Sequence, residues 1–402
     1  DGSQLELDSV SVVGSFGPAV AASESQVTAT DCTFSNNNGS SSLAGAIFVY
    51  LGNLTIGGDT SFLENQGSAI RVWNMLNSSD RGSITGKTTF SDNSADSRGG
   101  AIYASSTAFS IDGETSFINN RASETGGAIY MLSSTLAATG NTSVVGNVAP
   151  SGGGMYCEGG ASFVFDGVTL FENNTEGAIE TSFSEGIVLG STSFVRNTAT
   201  EVGGAVDVFQ GTFSTGGQTT FVENTSGGVG GAIAISQDST LSVSGLTTFL
   251  ENKADNNGGM RRAIYGTDST ILVGPGTNVS SNKAVSGAGG GIYFSSSAAT
   301  INGATFTSNT AVWGMAFFSS GSLEGSGPVN TTACVFEQNS ADDGGAFYSA
   351  AGYDLVQDCS FQANFAGSTP EPKARQGSYD GGKRSSVHMS TRPLLGKYES
   401  AG

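Results

Sequence analysis

The sequence predicts an all-β protein: a single right-handed parallel β-helix of about thirteen coils over residues 1–365, followed by an extended basic tail over residues 366–402. Three observations carry this expectation. A Phe-x-x-Asn motif returns at intervals of 23 to 30 residues, a Gly-Gly-Ala-Ile-Tyr motif alternates with it, and no repeat carries an apolar stripe at helical spacing.

The first motif opens at Phe34/Asn37, Phe62/Asn65, Phe90/Asn93 and Phe117/Asn120 and closes at Phe336/Asn339 and Phe361/Asn364. Val144/Asn147 and Val279/Asn282 fill its two gaps. The second is clearest at Gly99–Tyr103 and Gly126–Tyr130, with variants at Gly203–Val206, Gly230–Ile233 and Gly344–Tyr348. Runs such as Thr115-Ser116-Phe117 and Ala128-Ile129-Tyr130 are strand-length, rich in β-formers and bounded by Gly, Asn or Ser. A coil of this length holds three strands and three turns, and each strand pairs in parallel with its counterpart about 4.8 Å away. Parallel crossovers are nearly always right-handed. The Phe points inward and stacks on its neighbours. The Asn sits in a tight turn, where its amide bonds the amides above and below. The Gly pair serves positive φ or close backbone approach. Its repetition makes it structural rather than a phosphate-cradling loop.

Composition agrees. With 60 Gly but only 7 Pro, and with 24 Phe and 37% apolar residues, the chain is neither collagenous nor disordered. Net charge is −19; Ala366 to Gly402 holds six Lys/Arg against three Asp/Glu, which leaves −22 on the first 365 residues. So acidic a body repels nucleic acid and anionic lipid. No stretch approaches the ~20 apolar residues of a transmembrane helix. The start at Asp1 without Met suggests that an upstream segment was removed or that the chain is a fragment.

The alternating Gly-Gly-Ala-(Ile/Leu/Val) and Phe-x-x-Asn motifs resemble those of the chlamydial polymorphic outer-membrane proteins, over about Gly17 to Asn364. They are also similar to repeats in secreted β-helix proteins of algae. The resemblance implies a pectin-lyase-like solenoid and an autotransporter passenger acting as an adhesin. Where that family continues into a membrane β-barrel, this sequence ends in a short basic tail.

Breaks in the period are the places to look for function. An insertion after Ile70 makes a loop around Trp73, Met75, Leu76 and Asn77, a partner hot spot or a lid. Another makes a polar loop around Ser320 to Asn330, and a third places Arg261 and Arg262 as a cationic bulge on the acidic rod, for a salt bridge or an anionic partner. Cys334 and Cys359 each lie two residues before an anchor Phe in adjacent coils, which predicts a disulfide; Cys32 and Cys157 are too distant to pair. Sequons at Asn38, Asn53, Asn77, Asn141, Asn173, Asn278 and Asn330 permit glycosylation; the one at Asn224 falls on the ladder, where burial blocks it.

Enzymatic β-helices need clustered carboxylates, a Ca²⁺ site with a nearby base, or a His on one face. The body has no His, and acids such as Asp112, Glu124, Asp166, Asp207, Asp342 and Asp343 read as scattered in turns. Tandem Gly-Gly-x-Gly-x-Asp calcium repeats and a regular outward Thr array are absent. The expectation is therefore a non-enzymatic structural or interaction protein without cofactor or metal. It is an extracellular or cell-surface adhesin or wall component binding protein or surface polysaccharide. The alternative is a scaffold subunit of a larger assembly, in an organelle lumen or an extracellular filament, docked through tail residues Leu394, Leu395 and Tyr398. A polysaccharide-active enzyme is the remote alternative.

Overall fold

The computed structural model describes residues 3–39, 44–73, 81–254, 263–284, 289–313, 317–320, 328–343, 345–349 and 354–367. Among these the chain is an all-β parallel solenoid. Three long sheets run its length. The first sheet has fourteen strands from Ser3–Asp8 to Asp354–Gln357. The Phe sheet has fourteen, from Ser11–Val13 to Ser360–Gln362. The Ile sheet has thirteen, from Val20–Ser23 to Phe347–Ser349. Two-residue strands after the Asn turns add a short fourth face, as at Thr198–Ala199 and Thr225–Ser226. The count departs slightly from the thirteen coils expected because a coil precedes Phe34: Val12 pairs with Phe34, and Ser15 takes the ladder position. Neither residue matches the motif, so the sequence hides that coil.

Alternation along each strand makes the core. In Thr115–Ile118 the pattern is buried, half-buried, buried, half-buried, with Phe117 inward. The anchor rings stack through neighbouring coils, Phe34–Phe62 at 5.1 Å and Phe221–Phe249 at 4.7 Å between centroids, with planes 8° and 3° apart. Val144 and Val279 occupy the same register and interrupt the stack.

Thirteen Asn form one continuous chain. Asn93 Nδ2 donates to Asn120 Oδ1 at 2.9 Å and to the Phe62 carbonyl at 2.9 Å, and the Asn93 N–H also donates to Asn120 Oδ1 at 3.1 Å. The same pattern runs from Asn37 to Asn364: the Asn-to-Asn bonds point toward the following coil and the bond to the anchor carbonyl points back to the preceding one, with these side chains almost wholly buried. The residue before each ladder position is left-handed, including Glu64 (φ 53°), Arg196 (φ 51°) and Ala363 (φ 50°). In the glycine motif, Gly126 has φ +66°, and a Cβ on Gly127 would lie 2.2 Å from the Gly153 carbonyl oxygen.

Two residues before each anchor, a second buried column runs through Cys32, Thr60 and successive Thr to Thr277, then Ala304, Cys334 and Cys359. Cys334 and Cys359 are thus neighbours as expected, but the disulfide is not formed: all four cysteines are free thiols. In-register parallel strands hold equivalent Cβ atoms about 4.8 Å apart and aimed the same way, wider than the ~3.8 Å and convergent aim of a bridge. The Cys334 N–H instead donates to Cys359 Sγ at 3.4 Å, and each thiol donates to the carbonyl two residues before it. Burial pushes the Cys334 thiol up to about 11.

The Thr column divides in two. Thr60, Thr219, Thr247 and Thr277 donate to the carbonyl three residues earlier, across turns in which a Gly is left-handed. Thr88, Thr115, Thr142, Thr169 and Thr192 have no hydrogen-bond partner for Oγ1, and the Gly in each of their turns is not left-handed.

Two measurements check this account. Phe117→Ala should cost about 3–5 kcal/mol by thermal or denaturant unfolding. Asn120→Ala should cost at least as much despite its smaller side chain, because it strips acceptors from the Asn93 amides at about 1–3 kcal/mol per orphaned group. Conversely, Thr142→Val should be neutral or stabilising, whereas Thr247→Val should destabilise by about 1 kcal/mol. Equal effects at both Thr positions would refute the division of the column.

Candidate interaction surface

In strands of the Ile sheet such as Ile102–Ser105 and Ile179–Ser182 the motif Ile points inward and the next residue points out. Followed from coil to coil, this outward position reads Arg71, Tyr103, Tyr130, Tyr156, Glu180, Asp207, Ala234, Tyr265 and Tyr293. The tyrosines pack in succession, Tyr103 tilted against Tyr130 at 4.9 Å and Tyr265 stacked on Tyr293 at 5.8 Å. The Arg71 guanidinium lies 3.9 Å from the Tyr103 ring centre, a cation–π contact.

Arg98 reaches from a turn over this column. It donates to the Tyr130 hydroxyl at 2.6 Å and pairs with Glu124 and Glu158, each at 3.1 Å. The Tyr130 hydroxyl in turn donates to Glu158. This network buries Tyr130 completely, and burial together with the Glu158 carboxylate drives its pKa far above the ordinary phenol range.

Beyond Tyr156 the column turns acidic. Glu180 and Asp207 are in-register partners on adjacent strands, about 4.8 Å apart in a parallel sheet. Burial, then the charge of Asp207, pushes Glu180 up to about 7 against hydrogen bonds from Ser151 and the Gly152 N–H. Burial pushes Asp207 to about 7, against the Val208 N–H. Burial, then the charges of Glu180 and Glu158, lifts Tyr156 to about 12. The expectation that acids lie only in turns is therefore corrected: Asp207, Asp342 and Asp343 lie on strands, and Asp207 is paired with Glu180.

The edge of the same sheet carries a ridge. Among the described residues the exposed aromatics are Phe16 and Phe365 in the outermost coils, and Trp73, Phe183 and Phe209. Trp73 and Phe209 end their strands in the Ile sheet, and Phe183 follows one directly. Phe183 and Phe209, 56% and 40% exposed, meet edge to face at 5.9 Å. Trp73 packs edge-on against Tyr50 at 6.4 Å and takes the Arg71 guanidinium at 5.7 Å.

Of the residues expected to bind partners, Trp73 is placed at a strand end rather than in a loop. Met75, Leu76, Arg261, Arg262, Leu394, Leu395 and Tyr398 lie outside the described residues, as does Asn77. Asn38, Asn141 and Asn173 are exposed, and Asn53, Asn278 and Asn330 half-buried; Asn224 is buried in the ladder. The Glu180–Asp207 pair and the Phe183–Phe209 ridge were missed. The signal was present: the residue after the motif Ile, read down successive repeats, spells the column.

Fold and surface together define a parallel β-solenoid repeat protein whose outward residues, not its repeat motifs, hold its chemistry. The Chlamydia polymorphic membrane protein repeat matches residues 87–105 and 114–131, and the resemblance read from the motifs stands on that match and on the solenoid. No curated protein and no solved structure matches the chain. Among the described residues no helix is long and apolar enough to cross a membrane, and no group of three or more His, Cys, Asp or Glu is placed to hold a metal ion.

The carboxylate pair sets a pH dependence. Both folded-state values are raised to about 7 from 4.5 and 3.8, so the protonated forms favour the fold. The stability they contribute is full below about pH 4 and is lost as pH rises through 7. The chain should melt higher at pH 6 than at pH 8, and Glu180→Gln/Asp207→Asn should flatten that difference. An unchanged difference in the double variant would show that the pair is not its source.

Proposed function

We propose that this protein is a non-enzymatic, adhesin-like β-helix of the cell surface or extracellular space, which binds protein through the ridge and outer face of its Ile sheet. One observation carries the reading. Among the side chains that the structure describes, the exposed aromatics away from the outermost coils gather at one edge of one sheet. Aromatic side chains held on a rigid scaffold are what protein interfaces use as anchors. The match to the polymorphic membrane protein repeat supports a surface-associated passenger. The −22 charge of the first 365 residues disfavours nucleic acid and anionic lipid as partners.

A second reading has one observation in its favour. The Glu180–Asp207 pair brings two carboxylates onto neighbouring strands, with values near neutral pH, and paired carboxylates are what glycosidases use. The pair lies on the outward face of a parallel sheet.

The two readings separate in one experiment. Full-length protein is immobilised and tested for saturable binding to cultured cells and to immobilised extracellular proteins, and in parallel for turnover of a polysaccharide panel. Binding without turnover is expected. Turnover abolished by Glu180→Gln would replace the adhesin reading with a hydrolase, and failure to bind any surface would end it.

A further inference from the structure

Resting on the adhesin reading, we propose that the Phe183–Phe209 ridge and the adjoining Glu180–Asp207 pair form one docking site for an extended basic segment of a partner protein. A cationic side chain of the partner sits against the two carboxylates, and an apolar one against the two rings.

The geometry comes from register. Glu180 and Asp207 point outward from two adjacent strands; Phe209 lies two residues after Asp207 on the same face, and Phe183 three after Glu180 at the same sheet edge. Between Tyr156 and the buried Ala234 the outward column is filled for two coils by Glu180 and Asp207, both shorter than the tyrosine before them. Three coil steps of about 4.8 Å, from Tyr156 to Ala234, give a stretch of roughly 14 Å, the span of about four extended residues.

Charge selects the occupant. Among the described residues neither Glu180 nor Asp207 has an ion pair; of the cations on this sheet, Arg98 is committed to Glu124 and Glu158 and Arg71 lies against the Trp73 and Tyr103 rings. Glu185, exposed just beyond Phe183, adds a further negative charge. The −22 body of a second copy would be repelled, whereas a basic segment is attracted to the pair. Two half-buried carboxylates held near neutrality by desolvation gain most from a cation that bonds both. Docking then draws both into the ionised form and releases protons, so affinity should rise with pH.

The test uses full-length protein and three short fluorescent peptides of matched length. One interleaves Lys and Arg with Leu and Trp; one replaces the basic residues by Glu; one replaces the apolar residues by Ser. By anisotropy the first should bind at least about tenfold more tightly than either other, and more tightly at pH 8 than at pH 6. Phe183→Ser/Phe209→Ser and Glu180→Gln/Asp207→Asn should each weaken it several-fold while circular dichroism still reports the rod. Leu272→Ser, an exposed position on the first sheet, should leave it unchanged. Unchanged affinity in a folded ridge variant, equal binding of the acidic peptide, or no binding of any peptide would overturn the proposal. Surface binding by the full chain that survives such a result leaves the adhesin reading standing with its site elsewhere. Peptide binding without any surface binding would fail that reading instead.

Discussion

The asparagine ladder is the constraint on which the rest of the structure depends. A solenoid turns its backbone through the core margin once per coil at the same place, and the polar groups there have no access to water. Each Asn meets that need in a repeating way: its Oδ1 accepts from the backbone and side chain of the preceding ladder residue, and its Nδ2 donates to an anchor carbonyl and to the next Oδ1. Because every Asn-to-Asn bond points to the following coil, the chain of amides is polarised in one direction, which favours mutual strengthening.

That ladder imposes costs that the sequence accepts elsewhere. The residue before each Asn is left-handed even where it is Glu, Arg, Gln or Ala, types that do not choose this region on their own. The strain is held by the bonds on either side of it and by the aromatic stack two to three residues earlier. The Thr column shows the opposite case: where the turn glycine lacks a positive φ, no carbonyl is turned toward the hydroxyl and it stays unpaired. Packing continuity thus outweighs local polar satisfaction in the five coils from Thr88 to Thr192.

With the interior committed to stacking, the outward positions are free to vary, and their variation is where recognition can reside. On the Ile sheet the outward residue changes from aromatic to acidic to small and back to aromatic within eight coils. A rigid scaffold delivers those side chains at a fixed pitch, so a short stretch of extended partner can match them without ordering the protein first. The tyrosine–arginine network around Arg98 and Tyr130 stiffens the face beside the ridge and keeps that arginine from neutralising Glu180 and Asp207.

The sequence by itself determined the parallel solenoid, its period, the stacked Phe and the Asn ladder, because these follow from residues that repeat in one chain order. It also placed Cys334 and Cys359 in adjacent coils. Tertiary structure alone decided what depends on direction and register. It kept those cysteines as thiols, since parallel strands aim their side chains alike. It revealed the coil built on Val12 and Ser15, which carry the geometry without the motif letters. It set Glu180 beside Asp207 and Phe183 beside Phe209, residues some 27 positions apart that meet only when one coil is stacked on the next. A linear reading sees each as an isolated acid or aromatic in a variable position. The stacking of coils converts those positions into columns, and only a column has neighbours with which to act.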